Sequence, residues 1–422
     1  MGKALFATYP VFRESILELD AIYECVTGSS LVQTTGMFSE VDGPVLPSPW
    51  PVGTALPAMA MFQIAMTDLL ATIGIKPTAV VRHSAGETPM IYSAGAGPKE
   101  MALKITIAHS KAMKITESLG GGMAALGCDK ATALEFIDRV LKGASEGILE
   151  VSCHNLPEAV VITGSSALID KVVSLASITN VFAQRVQTLN PSHSSMTEVC
   201  KEEYLGNMIA VFEEFPDLHS PTIHCYSTVA GHGKYIEDFT ADYLRENLRH
   251  PVHFHQAILS ILEDHPNAVF IEISPHPALS SYVSATGVLS GVVVCPSRRL
   301  SRAPNVVQTE LKAFLSSIGT LSTLGINSIN LTSMYGRASC DPVYNIPYPF
   351  TKREFLLRID GPRVMESAQG GSTSLIVQMN VKSFPDLVEH VIYGEPVAPA
   401  AAFLDMVRIH CSKPPNQLLT RH

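Results

Sequence analysis

Thr78 to Gly97 reads TAVVRHSAGETPMIYSAGAG, and the reading of this stretch decides the fold. A short β-branched run, Ala79-Val80-Val81, leads into Ser84, and small and apolar residues at helix-compatible spacing follow. The pattern predicts a strand, a sharp turn and a helix. Such an elbow lifts a serine hydroxyl clear of the sheet and sets it at a helix N-terminus, where free N–H groups and the dipole can stabilise an oxyanion. Gly86 fits the second glycine of a G-x-S-x-G elbow, but Arg82 stands where the first belongs, and its Cβ is expected to strain the turn. Ser84 is the candidate nucleophile; an ordinary helix N-cap is the competing reading.

Working outward, Ala55 to Ile75 is apolar and nearly long enough to span a bilayer. It carries Pro57, Gln63, Thr67 and Asp68, so a buried helix beside the elbow is expected instead. Upstream, Ala4 to Tyr23 spaces Leu5, Phe12, Ile16 and Leu19 as a surface helix, and Thr27 to Val52 reads as loop. Met1 to Tyr9 lacks the apolar core of a signal peptide. Downstream, Lys99 to Glu117 is helical with His109 in its middle, and Gly120 to Gly122 form a hinge without the Gly-Lys-Ser/Thr of a phosphate loop. From about 123 to 186 strands and helices alternate as βαββαβ, which predicts a small ferredoxin-like sheet inserted into a parallel-sheet α/β body. The body then resumes with Asn190-Pro191-Ser192-His193, a helix over 200–212, a strand over 222–227, a helix over 239–247 and a strand over 268–273. Polar linker follows residue 297, with a helix over 309–324 and a boundary after about Arg358.

The chain has 422 residues and a net charge of −9, which argues against broad binding to nucleic acid or anionic membranes. The Arg298, Arg299, Arg302 cluster reads as solvated linker. Eight cysteines lie far apart with no Cys-x-x-Cys pair and no zinc spacing, so no metal site and a reducing, cytoplasmic compartment are expected. Cys153-His154 and His224-Cys225 are neighbours on strands, whose side chains point to opposite faces.

Several motifs in order resemble the acyltransferase domain of fungal, basidiomycete-like iterative type I polyketide synthases, and through it the malonyl-CoA:carrier-protein transacylases. The family pattern Gly-His-Ser-x-Gly-Glu appears as Arg82-His83-Ser84-Ala85-Gly86-Glu87. Tyr9 to Ser15, Asn247 to Val252, Glu272 to Pro277 and Tyr348-Pro349-Phe350 match further family segments. The resemblance implies an α/β-hydrolase-like body over about 1–300, a linker over 301–372 and, over 373–422, the truncated start of a hot-dog dehydratase domain. It implies His193 as the base, 193 − 84 = 109 positions after the nucleophile, oriented by a backbone carbonyl rather than a carboxylate. Ala85 N–H would be one oxyanion donor; the other is expected from a Gly-Gln-Gly strand that would precede the first residue.

Malonyl-selective relatives hold the free carboxylate with an arginine 25 residues after the serine, where this chain has His109 (109 − 84 = 25). If His109 faces the pocket, malonyl preference should weaken. Arg82, Ala85, His109 and Ser192 are thus the expected substrate-side residues, though Asn190-Pro191-Ser192 matches no acyl-selective pattern. His390, Gly394 and Pro399 fit the H-x-x-x-G-x-x-x-x-P start of a dehydratase, with His390 its general base and its acid partner beyond this chain. The implied reaction carries an acyl group from malonyl-CoA or acetyl-CoA through acyl-serine to the phosphopantetheine of an acyl carrier protein, among other synthase domains, with no bound cofactor. A serine hydrolase and a catalytically degenerate synthase fragment are the alternatives.

Overall fold

The N-terminal sequence forms two helices, α1 (Lys3–Thr8) and α2 (Pro10–Thr27), rather than one. The break falls at Tyr9, extended at φ −108° because the following proline disfavours helical backbone before it. Pro10 itself opens α2, where a missing N–H goes unnoticed. The structure, a computed structural model, describes residues 1–39, 43–44, 46–231, 233–287, 293–298, 306–334, 365–367, 374–376, 390–401 and 403–404. A short α3 (Leu31–Thr35), capped by Ser30, interrupts the expected loop.

The apolar stretch becomes α4 (Val52–Thr72) and lies in the core, as its composition predicts. Ala58, Met61, Phe62, Ile64, Ala65 and Met66 are all essentially inaccessible. Each large side chain so buried contributes roughly 1.5–3 kcal/mol of transfer free energy. Phe12 of α2 meets Phe62 edge-on at 5.7 Å, fixing the two helices together.

From α4 the chain enters β1 (Ala79–Val81), the elbow, α5 (Glu87–Ser93) and α6 (Lys99–Met113). Then come β2 (Gly121–Leu126), α7 (Lys130–Lys142), β3 (Leu149–Leu156), β4 (Ala159–Ser165), α8 (Ser166–Ile178) and β5 (Ala183–Arg185). These four strands form one antiparallel sheet in the order β3-β4-β2-β5, with its own apolar core shared with α7 and α8. Gly164 is obligatory there, because a Cβ would lie 2.0 Å from the Ile148 carbonyl oxygen.

The body continues through α9 (Lys201–Glu214), β6 (His224–Tyr226), α10 (Ala241–Arg249), α11 (Phe254–Asp264), β7 (Phe270–Ile271), α12 (Ser280–Ala285) and β8 (Val293–Val294). β1 pairs in parallel with β6, and β7 with β8. Among the described residues the expected parallel sheet is therefore two short ladders, and helices supply most of the core. Cys153 and Cys225 are buried while His224 is exposed, the alternation their strands impose.

Helix α13 (Val306–Thr323) lies in the segment expected as linker, close to the helix expected over 309–324, and it packs against α1. Phe314 is fully buried and its ring lies 5.0 Å from Tyr9. Glu310 accepts from the backbone N–H groups of Gly2 and Ala4 at 2.7 and 2.8 Å, placing a carboxylate at the positive end of α1. A linker helix recruited by an aromatic contact and a cap is part of the core it joins.

Two compact units, Met1–Asp341 and Pro342–His422, divide the chain. In the second, β9 (Met365–Ser367) pairs with β10 (Ser374–Ile376), and β11 (Val391–Ile392) with β12 (Glu395–Pro396), both antiparallel. Tyr393 and Gly394 both have positive φ, as a two-residue hairpin turn requires. The expected boundary at Arg358, the Tyr348-Pro349-Phe350 motif and most of 373–422 lie outside the described residues.

Candidate active site

β1 ends at Val81, and Ser84 opens a single 3-10 turn, Ser84–Gly86, that runs directly into α5. Ser84 adopts φ +54°, the left-handed region that a non-glycine residue occupies at a cost of about 1–3 kcal/mol. That turn is what projects its hydroxyl. Ala85 follows in the first turn, whose leading N–H groups have no acceptor within the helix.

His193 arrives from the loop after β5. Its backbone is also left-handed, at φ +60°, and its N–H donates to the Leu248 carbonyl at 2.9 Å. Nε2 lies 2.6 Å from Ser84 Oγ. Nδ1 lies 2.9 Å from the Asn247 carbonyl oxygen and 3.0 Å from that of His250. Carbonyls only accept, so Nδ1 carries the proton and Nε2 presents its lone pair to the serine. Burial, with repulsion from His83 added, pushes the imidazole down to about 4. A neutral imidazole so held can accept a hydroxyl proton.

Around this pair the loop is pinned. Asn190 donates to the Met113 carbonyl and to Thr116 Oγ1, both at 3.0 Å, tying it to the end of α6. Ser192 is half-buried beside His193. Gly121 is required beneath, since a Cβ would reach within 2.6 Å of Pro191. His83 Nε2 meets Asn155 Oδ1 of β3 at 2.8 Å, and its ring packs against Phe254.

His109 is buried on α6, with Nδ1 3.2 Å from the Tyr204 hydroxyl. That hydroxyl donates onward to the Leu244 carbonyl at 3.2 Å, so His109 Nδ1 must be the donor and Nε2 again carries the lone pair. Burial pushes this imidazole, too, down to about 4.

Arg82, expected on the substrate side, has its guanidinium committed to partners within the protein. Its side chain is buried, ion-paired with Glu87 and hydrogen-bonded to the Tyr243 hydroxyl. It also donates to Thr228 Oγ1 at 3.2 Å and lies over the Tyr243 ring, 5.5 Å from the centroid. Its Cβ does not crowd Gly86, where even an added Cβ would sit 3.6 Å away in ordinary contact. Burial raises the Glu87 carboxyl to about 7 against the pull of Arg82.

His390 is exposed in the second unit, with its carbonyl accepting from Val397 N at 2.9 Å; no aspartate lies among that unit's described residues.

Residues 1–327 match the sequence profile of the acyl transferase domain. The chain belongs to that family. It is 40% identical over 415 residues to a highly reducing polyketide synthase, stpks1, of Strobilurus tenacellus, covering 96% of this chain and 15% of the relative. A loading acyltransferase from the avermectin modular polyketide synthase superposes with a TM-score of 0.67 at 22% identity, covering 76% of this chain and 95% of that one. The acyltransferase domain of the polyketide synthase PpsC of Mycobacterium tuberculosis gives 0.58 at 27% identity, covering 70% and 85%. The chain thus spans only 15% of the length of the Strobilurus tenacellus relative.

The sequence singled out Ser84 and His193, which the structure brings to 2.6 Å of each other, and left the carbonyls that hold His193 Nδ1 unnamed. It missed Tyr204, Asn155 and Tyr243, because nothing in a lone aromatic or amide signals which buried histidine or arginine it will meet.

Proposed function

We propose that Ser84 attacks the thioester carbonyl of an acyl-CoA while His193 takes its proton, and that Ala85 N–H stabilises the resulting oxyanion. The tetrahedral adduct expels the CoA thiolate, which takes the proton from His193, and leaves acyl-Ser84. His193 then deprotonates the phosphopantetheine thiol of a carrier protein, which attacks the acyl-serine; Ser84 Oγ is expelled as His193 returns the proton to it, and the acyl group leaves on the carrier. The observation that carries this reading is the 2.6 Å contact between Ser84 Oγ and His193 Nε2, with Nδ1 held by two carbonyls.

A buried His109 whose Nε2 offers a lone pair cannot grip a carboxylate as a guanidinium does. Malonyl-CoA therefore loses its usual advantage over acetyl-CoA here. The four-stranded antiparallel unit, strand order β3-β4-β2-β5, is read as the ferredoxin-like insertion. Residues 373–422 are read as the start of a dehydratase domain with His390 as its base, within an iterative, basidiomycete-like synthase. Partner synthase domains and a carrier protein follow from that reading.

The test is to incubate the chain with acyl-CoA and a phosphopantetheinylated carrier protein. Acyl carrier must accumulate in a Ser84-dependent manner; release of free acid without transfer would make the protein a hydrolase instead.

A further inference from the structure

Arg82 stands where the family pattern has glycine, and its buried guanidinium reaches three elements at once. Glu87 opens α5, Thr228 follows β6, and Tyr243 lies in the first turn of α10. Tyr243 is further fixed by its own contact to Ser227 Oγ at 3.1 Å and by Thr240, which caps the helix. One turn along the same helix is Asn247, whose carbonyl oxygen receives His193 Nδ1. Leu248 and His250, at the end of that helix, hold the His193 backbone and the same Nδ1. Arg82 is thus two residues from the nucleophile, and its partner Tyr243 is one turn from the groups that aim the base.

We propose that Arg82, neutralised by Glu87, is a positioning residue: a buried strut from the elbow to α10 that sets the distance between Ser84 Oγ and His193 Nε2. This rests on the reading of Ser84 and His193 as the reacting pair. A glycine at position 82 would leave the contact between Glu87 and Tyr243 as the side-chain link there between the elbow and α10. An arginine joins them by a rigid planar fork, and its charge is balanced inside the protein rather than offered to substrate.

The test uses a fluorophosphonate probe, which reports the pair whatever the acyl donor. Ser84 Oγ bonds to phosphorus, fluoride leaves, and the hydroxyl proton passes to His193. The variants are Tyr243→Phe, which keeps the ring and removes the hydroxyl, and the double variant Arg82→Met with Glu87→Gln, which removes both charges together. Labelling rate, its pH profile and Tm are measured, with Ser84→Ala as control. The expected result is a labelling rate about ten- to a hundredfold slower at saturating probe, with half-saturation unchanged, in variants that remain folded at the assay temperature. Arg82→Lys, which keeps the charge and loses the fork, should fall between. If the double variant does not fold, Tyr243→Phe decides alone. Folded variants that label at the wild-type rate overturn the strut while leaving the catalytic pair standing. A wild-type chain whose Ser84 is not labelled overturns the pair, and the strut with it.

Discussion

His193 and His109 are two buried imidazoles in the same electronic state, set in different surroundings. Both have Nδ1 committed to a partner that fixes the proton there, and burial lowers both to about 4. For His193 the partners are the carbonyls of Asn247 and His250; for His109, the Tyr204 hydroxyl passes its own proton to Leu244 O. Both arrangements draw their final acceptor from α10 or the residue just after it. A lone pair on Nε2 is what a base next to a serine needs, and what a carboxylate ligand must not have. In the proposed reaction, the same tautomer that lets His193 take a proton from Ser84 would leave His109 unable to clamp a malonyl carboxylate.

The comparison breaks most completely at His193. Replacing it with alanine removes the proton acceptor and should slow acylation of Ser84 about 10³-fold or more, read in a single-turnover assay; a loss of only a few-fold would mean another group is the base.

His109 is next. His109→Arg restores a permanent, two-pronged cation, and the ratio of malonyl to acetyl loading should rise about tenfold. Competition between the two donors measures it, and an unchanged ratio would place His109 away from the acyl group. Tyr204→Phe is the finer cut, since it frees Nδ1 and lets the proton move to Nε2; the same ratio should rise about twofold.

The pH dependence sharpens both. Because His193 ionises near 4 rather than 6.5, the acylation rate should hold as pH falls through 6.5 and decline only toward its lowered value. A limb centred at 6.5 in the pH–rate profile would contradict this. Each lowered imidazole binds fewer protons folded than unfolded between about 4 and 6.5, so its contribution to stability is complete above 6.5 and lost on acidification. Glu87, raised to about 7 by burial, works the other way, losing stability as pH climbs from 4.5. Two imidazoles against one carboxyl predict a lower Tm at pH 5 than at pH 7.

The elbow was legible because three local rules agree on it: a β-branched run, a serine where backbone turns left-handed, and Gly86 behind it. The long apolar helix was legible by composition, and His193 only through family register, one of fifteen histidines otherwise indistinguishable. What stayed hidden depends on distant partners. Arg82 read as a bulky misfit because its relief, Glu87 and Tyr243, becomes visible only when β1, α5 and α10 meet. The helix at Val306–Thr323 was legible as a helix but its packing was not, because the contact from Phe314 to Tyr9 spans most of the domain's sequence.

The most direct test of the whole account is the intact mass of the protein after brief exposure to acetyl-CoA and, separately, malonyl-CoA, with Ser84→Ala alongside. The account predicts an acyl adduct that maps to Ser84, is absent from the alanine variant, forms with acetyl at least as readily as with malonyl, and leaves with a carrier-protein thiol. An adduct that persists in Ser84→Ala, or none from either donor, would contradict it.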